Sequence, residues 1–143
     1  MAFGSTQRRS IEIGGREQFS KTITESDVAT FAGLVGDFSP QHVDAEYARR
    51  SRLGQRSAHG ILAGGLIGAV INSRLPGPGC TGLSQQPEYL LPIFIGDTIT
   101  AEVEVIAWEP ERRLVTLKTD CRNQDDRQVV AGRATLIVPE PLE

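Results

Sequence analysis

Between Ser57 and Ser73 the chain carries no Asp, Glu, Lys or Arg, yet it holds Gly60, Gly64, Gly65 and Gly68. Pro76-Gly77-Pro78-Gly79 comes shortly after and stops any helix. Ser57 is a good N-cap, so the pattern predicts a helix from Ala58 to about Leu75. Ile61, Leu62, Leu66, Ile67, Val70 and Ile71 put apolar groups on most sides of it, as in a buried helix. Each glycine costs up to about 1 kcal/mol relative to alanine in a helix interior, so something must offset them. Close approach by a sheet wrapped round the helix would do so, and so would a ligand needing room along its flank. The run is too short and too glycine-broken to cross a membrane, which takes about 20 apolar residues.

The chain beyond this run is strand-like. Ile99, Ala101, Val103 and Val105 alternate with Thr100, Glu102 and Glu104, and the same alternation recurs from Leu114 to Cys121. Gln128 to Val138 reads as a further strand, with turns at Gly96-Asp97, at Glu109-Pro110-Glu111 and at Gln124-Asp125-Asp126. Leu83 to Phe94 carries Pro87 and Pro92, which belong at an edge, a strand end or a bulge. Ser10 to Ile13 and Gln18 to Ile23 are short strand candidates ahead of the helices. The architecture expected is α+β in a single domain spanning residues 1–143, with a core of about 10–138: antiparallel strands wrapped round one long buried helix.

A chain of 143 residues buries roughly two-thirds of its unfolded surface, so it needs neither disulfides nor a structural metal. Its net charge of −3 argues against a nucleic-acid binder, whose affinity would rest on a basic face. Cys80 and Cys121 match no zinc or redox spacing and read as reduced structural residues of an intracellular protein. Met1 to Arg9 has Arg8-Arg9 with no apolar stretch behind them, so no signal peptide is expected and the location expected is cytoplasmic.

Both histidines of the chain lie close to the start of the buried helix: His42 in Asp37-Phe38-Ser39-Pro40-Gln41-His42, and His59 before Gly60. A helix capped by Thr24 or Ser26, with Val28, Phe31, Ala32 and Val35 on its apolar face, ends at Gly36 and delivers Asp37. Pro40 bars the next segment from continuing that helix, so a loop is expected there. An acid and an imidazole held in one loop suggest general acid/base work. His59 reads instead as a structural residue at the helix start. Asp44 can cap a short helix towards Arg50, and Arg49, Arg50, Arg52 and Arg56 form either a solvated face or a contact for a phosphate-bearing ligand.

Three segments resemble the MaoC-like dehydratase family, and within it the (R)-specific enoyl-CoA hydratases. They are Asp37-Phe38-Ser39-Pro40-Gln41-His42-Val43-Asp44, Ala58-His59-Gly60-Ile61-Leu62, and Leu91-Pro92-Ile93-Phe94-Ile95-Gly96-Asp97-Thr98 leading into Ala101 to Val105. The resemblance implies a hot-dog fold, an antiparallel sheet wrapped round the central helix. It also implies a homodimer whose interface helps form the acyl-thioester tunnel.

The activity implied is hydration of trans-2-enoyl-CoA, or of an acyl carrier protein thioester, to the (R)-3-hydroxyacyl product. Asp37 and His42 match the family's catalytic pair, and Gly60 matches the glycine whose N–H faces the thioester carbonyl. Ser39 falls within the substrate-binding motif where many relatives carry Asn. Gly68 stands where the hydratases often have a polar residue, which suggests a roomier acyl pocket. No metal, organic cofactor, nucleic acid or membrane is implied. The alternatives are a hot-dog acyl-CoA thioesterase and a non-catalytic subunit of a heteromeric dehydratase. The helix run has no carboxylate for the first, and a chain of the second kind would have no need of the Asp and His retained here.

Overall fold

The computed structural model describes residues 10–141. In chain order these form β1 (Arg16–Thr22), α1 (Glu25–Val35), α2 (Pro40–Val43), α3 (Ala45–Arg50), α4 (Ile61–Ser73), β2 (Thr81–Tyr89), β3 (Thr98–Glu109), β4 (Leu114–Arg122) and β5 (Gln128–Ile137). The strands make one antiparallel sheet in the order β1-β3-β4-β5-β2, with α4 against its inner face: the hot-dog arrangement. The expectation for Met1 to Arg9 lies outside the described residues.

The alternation seen in the sequence is the alternation of burial. Ile99, Ala101, Val103 and Val105 of β3 and Val115, Leu117 and Cys121 of β4 point inward, fully enclosed. They meet Ala63, Ile67, Val70 and Ile71 of α4 in one apolar cluster. The opposite face of the sheet is polar, with Ser20 and Thr22 of β1 hydrogen-bonded through their hydroxyls to Thr100 and Thr98 of β3. One face packs and the other meets water, as a period of two requires.

Several boundaries differ from those expected. Ser10 to Ile13 is not a strand: Gly14 and Gly15 clip the chain to Val105 and Glu12 through backbone hydrogen bonds of 2.8 and 2.9 Å, and Ile13 is left exposed. β3 continues past Val105 to Glu109, because a register shift between Val105 and Ala107 interrupts the inside-outside pattern without ending the ladder. β2 stops at Tyr89, and Leu91-Pro92 lies beyond it. α4 begins at Ile61 and not at Ala58. Ser57 pairs with Phe94 as an isolated bridge and the Ala58 N–H donates to the Ile93 carbonyl at 2.7 Å, so a strand-like pairing holds the backbone ahead of the helix.

α1 forms where its sequence signals place it. Thr24, rather than Ser26, is the N-cap, and with Asp27 it completes a capping box. Gly36 ends the helix in the left-handed conformation at φ 82°. Val28 and Ala32 are its buried residues, whereas Val35 is exposed. Asp44 caps α3 by accepting from the Tyr47 N–H.

Candidate active site

The left-handed turn at Gly36 throws Asp37 clear of α1, and the loop then folds back on it. Asp37 Oδ1 accepts the Ser39 hydroxyl at 2.6 Å and the Ser39 N–H at 3.1 Å. The Ser39 hydroxyl above all, then its N–H, with the nearby histidines adding to them, hold the Asp37 carboxyl below the usual aspartate range. Oδ2 is left facing the two histidines.

Pro40 does not keep this segment a loop, contrary to the expectation from the proline alone. It opens α2 at the first helical position, where its missing N–H has no helical acceptor to lose. That single turn carries His42 inward, to 9% exposure. His42 Nδ1 lies 2.7 Å from the Ser57 carbonyl oxygen. A carbonyl only accepts, so Nδ1 carries the proton and Nε2 presents its lone pair. Nε2 faces Asp37 Oδ2 across 4.0 Å.

His59 is 2% exposed and belongs to the same cluster. Its ring stacks on that of His42, centroids 3.9 Å apart and planes 28° apart, with Phe31 tilted against it at 4.8 Å. His59 Nε2 donates to the Asp37 carbonyl oxygen at 3.0 Å and stands 3.9 Å from Asp37 Oδ2. The sequence places this residue only as a structural one at the helix start. The signal that could have found it is a histidine next to Gly60 in a run otherwise free of charged side chains.

Gly60 is the N-cap residue of α4, one position before the first turn expected for it. Its N–H has no backbone acceptor among the described residues. A Cβ at this position would come within 3.1 Å of the Tyr89 ring, so the glycine lets β2 close over the helix start. An amide of this kind, at the positive end of the helix dipole, suits an oxygen that gains negative charge.

Asp37, His42 and His59 offer ligand atoms all within 4.8 Å of one another, a spacing from which a metal could be held. The donor set does not fit one. His59 Nε2, the nitrogen that faces the carboxylate, spends its proton on the Asp37 carbonyl and has no lone pair to give.

The arginines resolve differently from one another. Arg49 and Arg50 share Glu46 on the surface of α3, at 2.6 and 2.8 Å. Arg56 is a structural brace: it grips Glu25 at 2.7 Å and donates to the His42 carbonyl at 2.7 Å. Asp97 closes the turn before β3, accepting from the Phe94 N–H and from Gln124. Burial pushes the Cys121 thiol up to about 12, so it is no nucleophile at neutral pH.

A groove of about 320 Å³ runs between α4 and strands β2 and β5, with Gly68, Ile71, Leu83 and Leu136 among its lining. A Cβ on Gly68 would meet nothing nearer than the Asn72 amide nitrogen at 4.0 Å, so this glycine leaves real space.

Known proteins resemble this chain in sequence and in fold. The chain is 43% identical to an (R)-specific enoyl-CoA hydratase of Rhodospirillum rubrum, over 90% of this chain and 89% of that one. It is 41% identical to a 3-hydroxybutyryl-CoA dehydratase of Methylorubrum extorquens, over 93% and 84%. The solved (R)-hydratase from Aeromonas caviae involved in PHA biosynthesis superposes with a TM-score of 0.88 at 35% identity, over 92% of this chain and 99% of that one. The family model for the MaoC like domain matches residues 10–126, which take in the Asp37 to His42 segment and the whole of α4, and the chain belongs to that family.

Proposed function

We infer that this protein is an (R)-specific enoyl-CoA hydratase, adding water reversibly to trans-2-enoyl-CoA to give (R)-3-hydroxyacyl-CoA. The observation that carries the reading is the 4.0 Å between Asp37 Oδ2 and His42 Nε2 at the head of α4. That gap is too wide for a direct hydrogen bond and suits one water donating to both acceptors at about 2.8 Å each. The ionised carboxylate and the Nε2 lone pair orient this water and take its proton as its oxygen attacks C3. The Gly60 N–H is placed to stabilise the thioester oxygen as the enolate forms. The captured proton then returns to C2. One O–H bond and the C2–C3 π bond break, a C3–O and a C2–H bond form, and the chemistry calls for no cofactor.

Loss of enoyl-thioester absorbance with crotonyl-CoA and octenoyl-CoA tests the reading. Asp37→Asn and His42→Ala should each lower kcat by about 10²–10⁴-fold, the range for a positioned acid/base. Wild-type protein that releases free CoA instead would point to a thioesterase. That chemistry lacks support here, because α4 presents no Asp or Glu.

A homodimer belongs to the same proposal. β2 is a sheet edge exposed on both faces, and it carries the exposed apolar residues Leu83 and Tyr89. An uncovered apolar edge strand pairs readily with another chain. Tyr89 also lies over Gly60, so an edge-to-edge partner would stand at the catalytic end of α4. Sedimentation equilibrium of the purified protein reads the dimer directly, and a monomer at micromolar concentration would remove this part of the proposal.

A further inference from the structure

We propose that His59 is a positioning residue for the hydration, holding Asp37 through its backbone and backing the ring of His42; this rests on the hydratase reading. On the carboxylate side, Ser39 fixes Oδ1 of Asp37, but nothing in that contact fixes where the residue as a whole stands. Asp37 lies just past a left-handed Gly36, on a loop whose neighbour Phe38 is exposed, and its own side chain is 44% exposed. Its anchor to the body of the domain is the His59 Nε2–H, donated to the Asp37 carbonyl at 3.0 Å.

On the imidazole side, His42 hangs from the Ser57 carbonyl by Nδ1, a contact about which the ring can still pivot. The His59 ring lies against its face at 3.9 Å and closes that freedom, while Phe31 stops His59 from retreating. A single imidazole thus sets the distance between the acid and the base, because it bonds the backbone of one and packs on the ring of the other. His59 itself is held by the chain: Ala58 is tied to Ile93, and the Leu62 N–H donates to the His59 carbonyl at 3.0 Å.

The remaining nitrogen, Nδ1, is buried with no hydrogen-bond partner among the described residues. A proton there would have no acceptor, so the lone pair sits on Nδ1 and the hydrogen on Nε2. His42 has the opposite arrangement, its proton on Nδ1. The two stacked rings are therefore opposite tautomers, each dictated by a carbonyl oxygen.

Untagged protein has only these two imidazoles, which makes a nitrogen-15 NMR reading of their tautomers direct. The expected result is one Nδ1–H ring and one Nε2–H ring, with His59→Gln removing the latter. Two rings of the same tautomer would overturn the proposal whatever the variants do. The kinetic test uses amide length. Glutamine places its amide nitrogen where Nε2 sits and can still donate to Asp37, whereas asparagine reaches only the Nδ1 position. His59→Gln should keep kcat for crotonyl-CoA within about 5-fold, while His59→Asn and His59→Leu lose about 100-fold, the scale of a misplacement near 1 Å. KM should change less than kcat in all three. Equal losses in Gln, Asn and Leu, or wild-type kcat in Asn, would overturn the positioning role. Wild-type protein that hydrates no enoyl thioester sinks the hydratase reading instead, and the tautomers then decide the hydrogen-bonding of His59 alone.

Discussion

The Ser39 hydroxyl donates to Asp37 Oδ1 at 2.6 Å, so a side chain two positions along the same loop turns the carboxylate. Its contact is to the acid itself, which makes Ser39 an orienting group in this chain.

Removing the hydroxyl should therefore be felt first at Asp37. The hydrogen bonds from Ser39 favour the ionised form, so the carboxyl titrates below the ordinary aspartate value and is fully charged at neutral pH. In Ser39→Ala the midpoint should rise towards the ordinary value. Carbon-13 NMR of the Asp37 carboxyl across an acid titration tracks it, and an unchanged midpoint would mean that the contact does not form in solution. Because the folded value is depressed, any stabilisation from this group is present at neutral pH and disappears as pH falls through the folded midpoint.

The glycines of the α4 segment should separate by what faces them. A Cβ on Gly65 meets nothing within 4 Å, so Gly65→Ala should stabilise the fold by about 0.5–1 kcal/mol through helix propensity alone. A Cβ on Gly60 comes within 3.1 Å of the Tyr89 ring. Gly60→Ala should leave thermal stability nearly unchanged, since Tyr89 is half exposed and can swing away, yet cut kcat by about 10-fold or more as the amide shifts. Equal activity of the two variants would speak against a role for the Gly60 N–H.

Gly132 on β5 should be intolerant for a different reason. A Cβ there would stand 2.5 Å from the Gln86 carbonyl oxygen and 3.0 Å from the Pro87 Cα, both backbone atoms of β2. Gly132→Ala should cost about 1–3 kcal/mol, read as a lower denaturation midpoint, with hydrogen-exchange protection lost along β2 first. Because β2 also supplies the edge proposed for dimerisation, the variant should dissociate more readily.

Filling the groove beside α4 should change substrate length preference. Gly68→Leu places its side chain in the groove that Ile71 and Leu83 also line, so kcat/KM for octenoyl-CoA should drop by at least about 10-fold relative to crotonyl-CoA. A wild-type protein strictly limited to four-carbon substrates would count against a roomy acyl pocket at this position.

The sequence alone determined the α+β layout, antiparallel strands round one long buried helix, because its two periods are local. The uncharged helix run and the period-two strands are each legible in the order of their residues, and the cap at Thr24 or Ser26 and the helix stop at Gly36 are written within a few positions. Asp37 and His42 could be paired for the same reason, five residues apart across a proline. What only the tertiary structure decided involves partners distant along the chain. Ser57 and Ala58 stay out of the helix because Phe94 and Ile93 lie beside them. β3 outruns its visible alternation because β4 continues to pair with it across a bulge. The placement of His59 belongs to this class: its hydrogen bond to Asp37 spans 22 positions, and its stacking on His42 exists only once α2 has turned inward. Backbone pairing and ring packing of that kind leave no periodic trace, since the residues that satisfy a buried polar group need only be near in space.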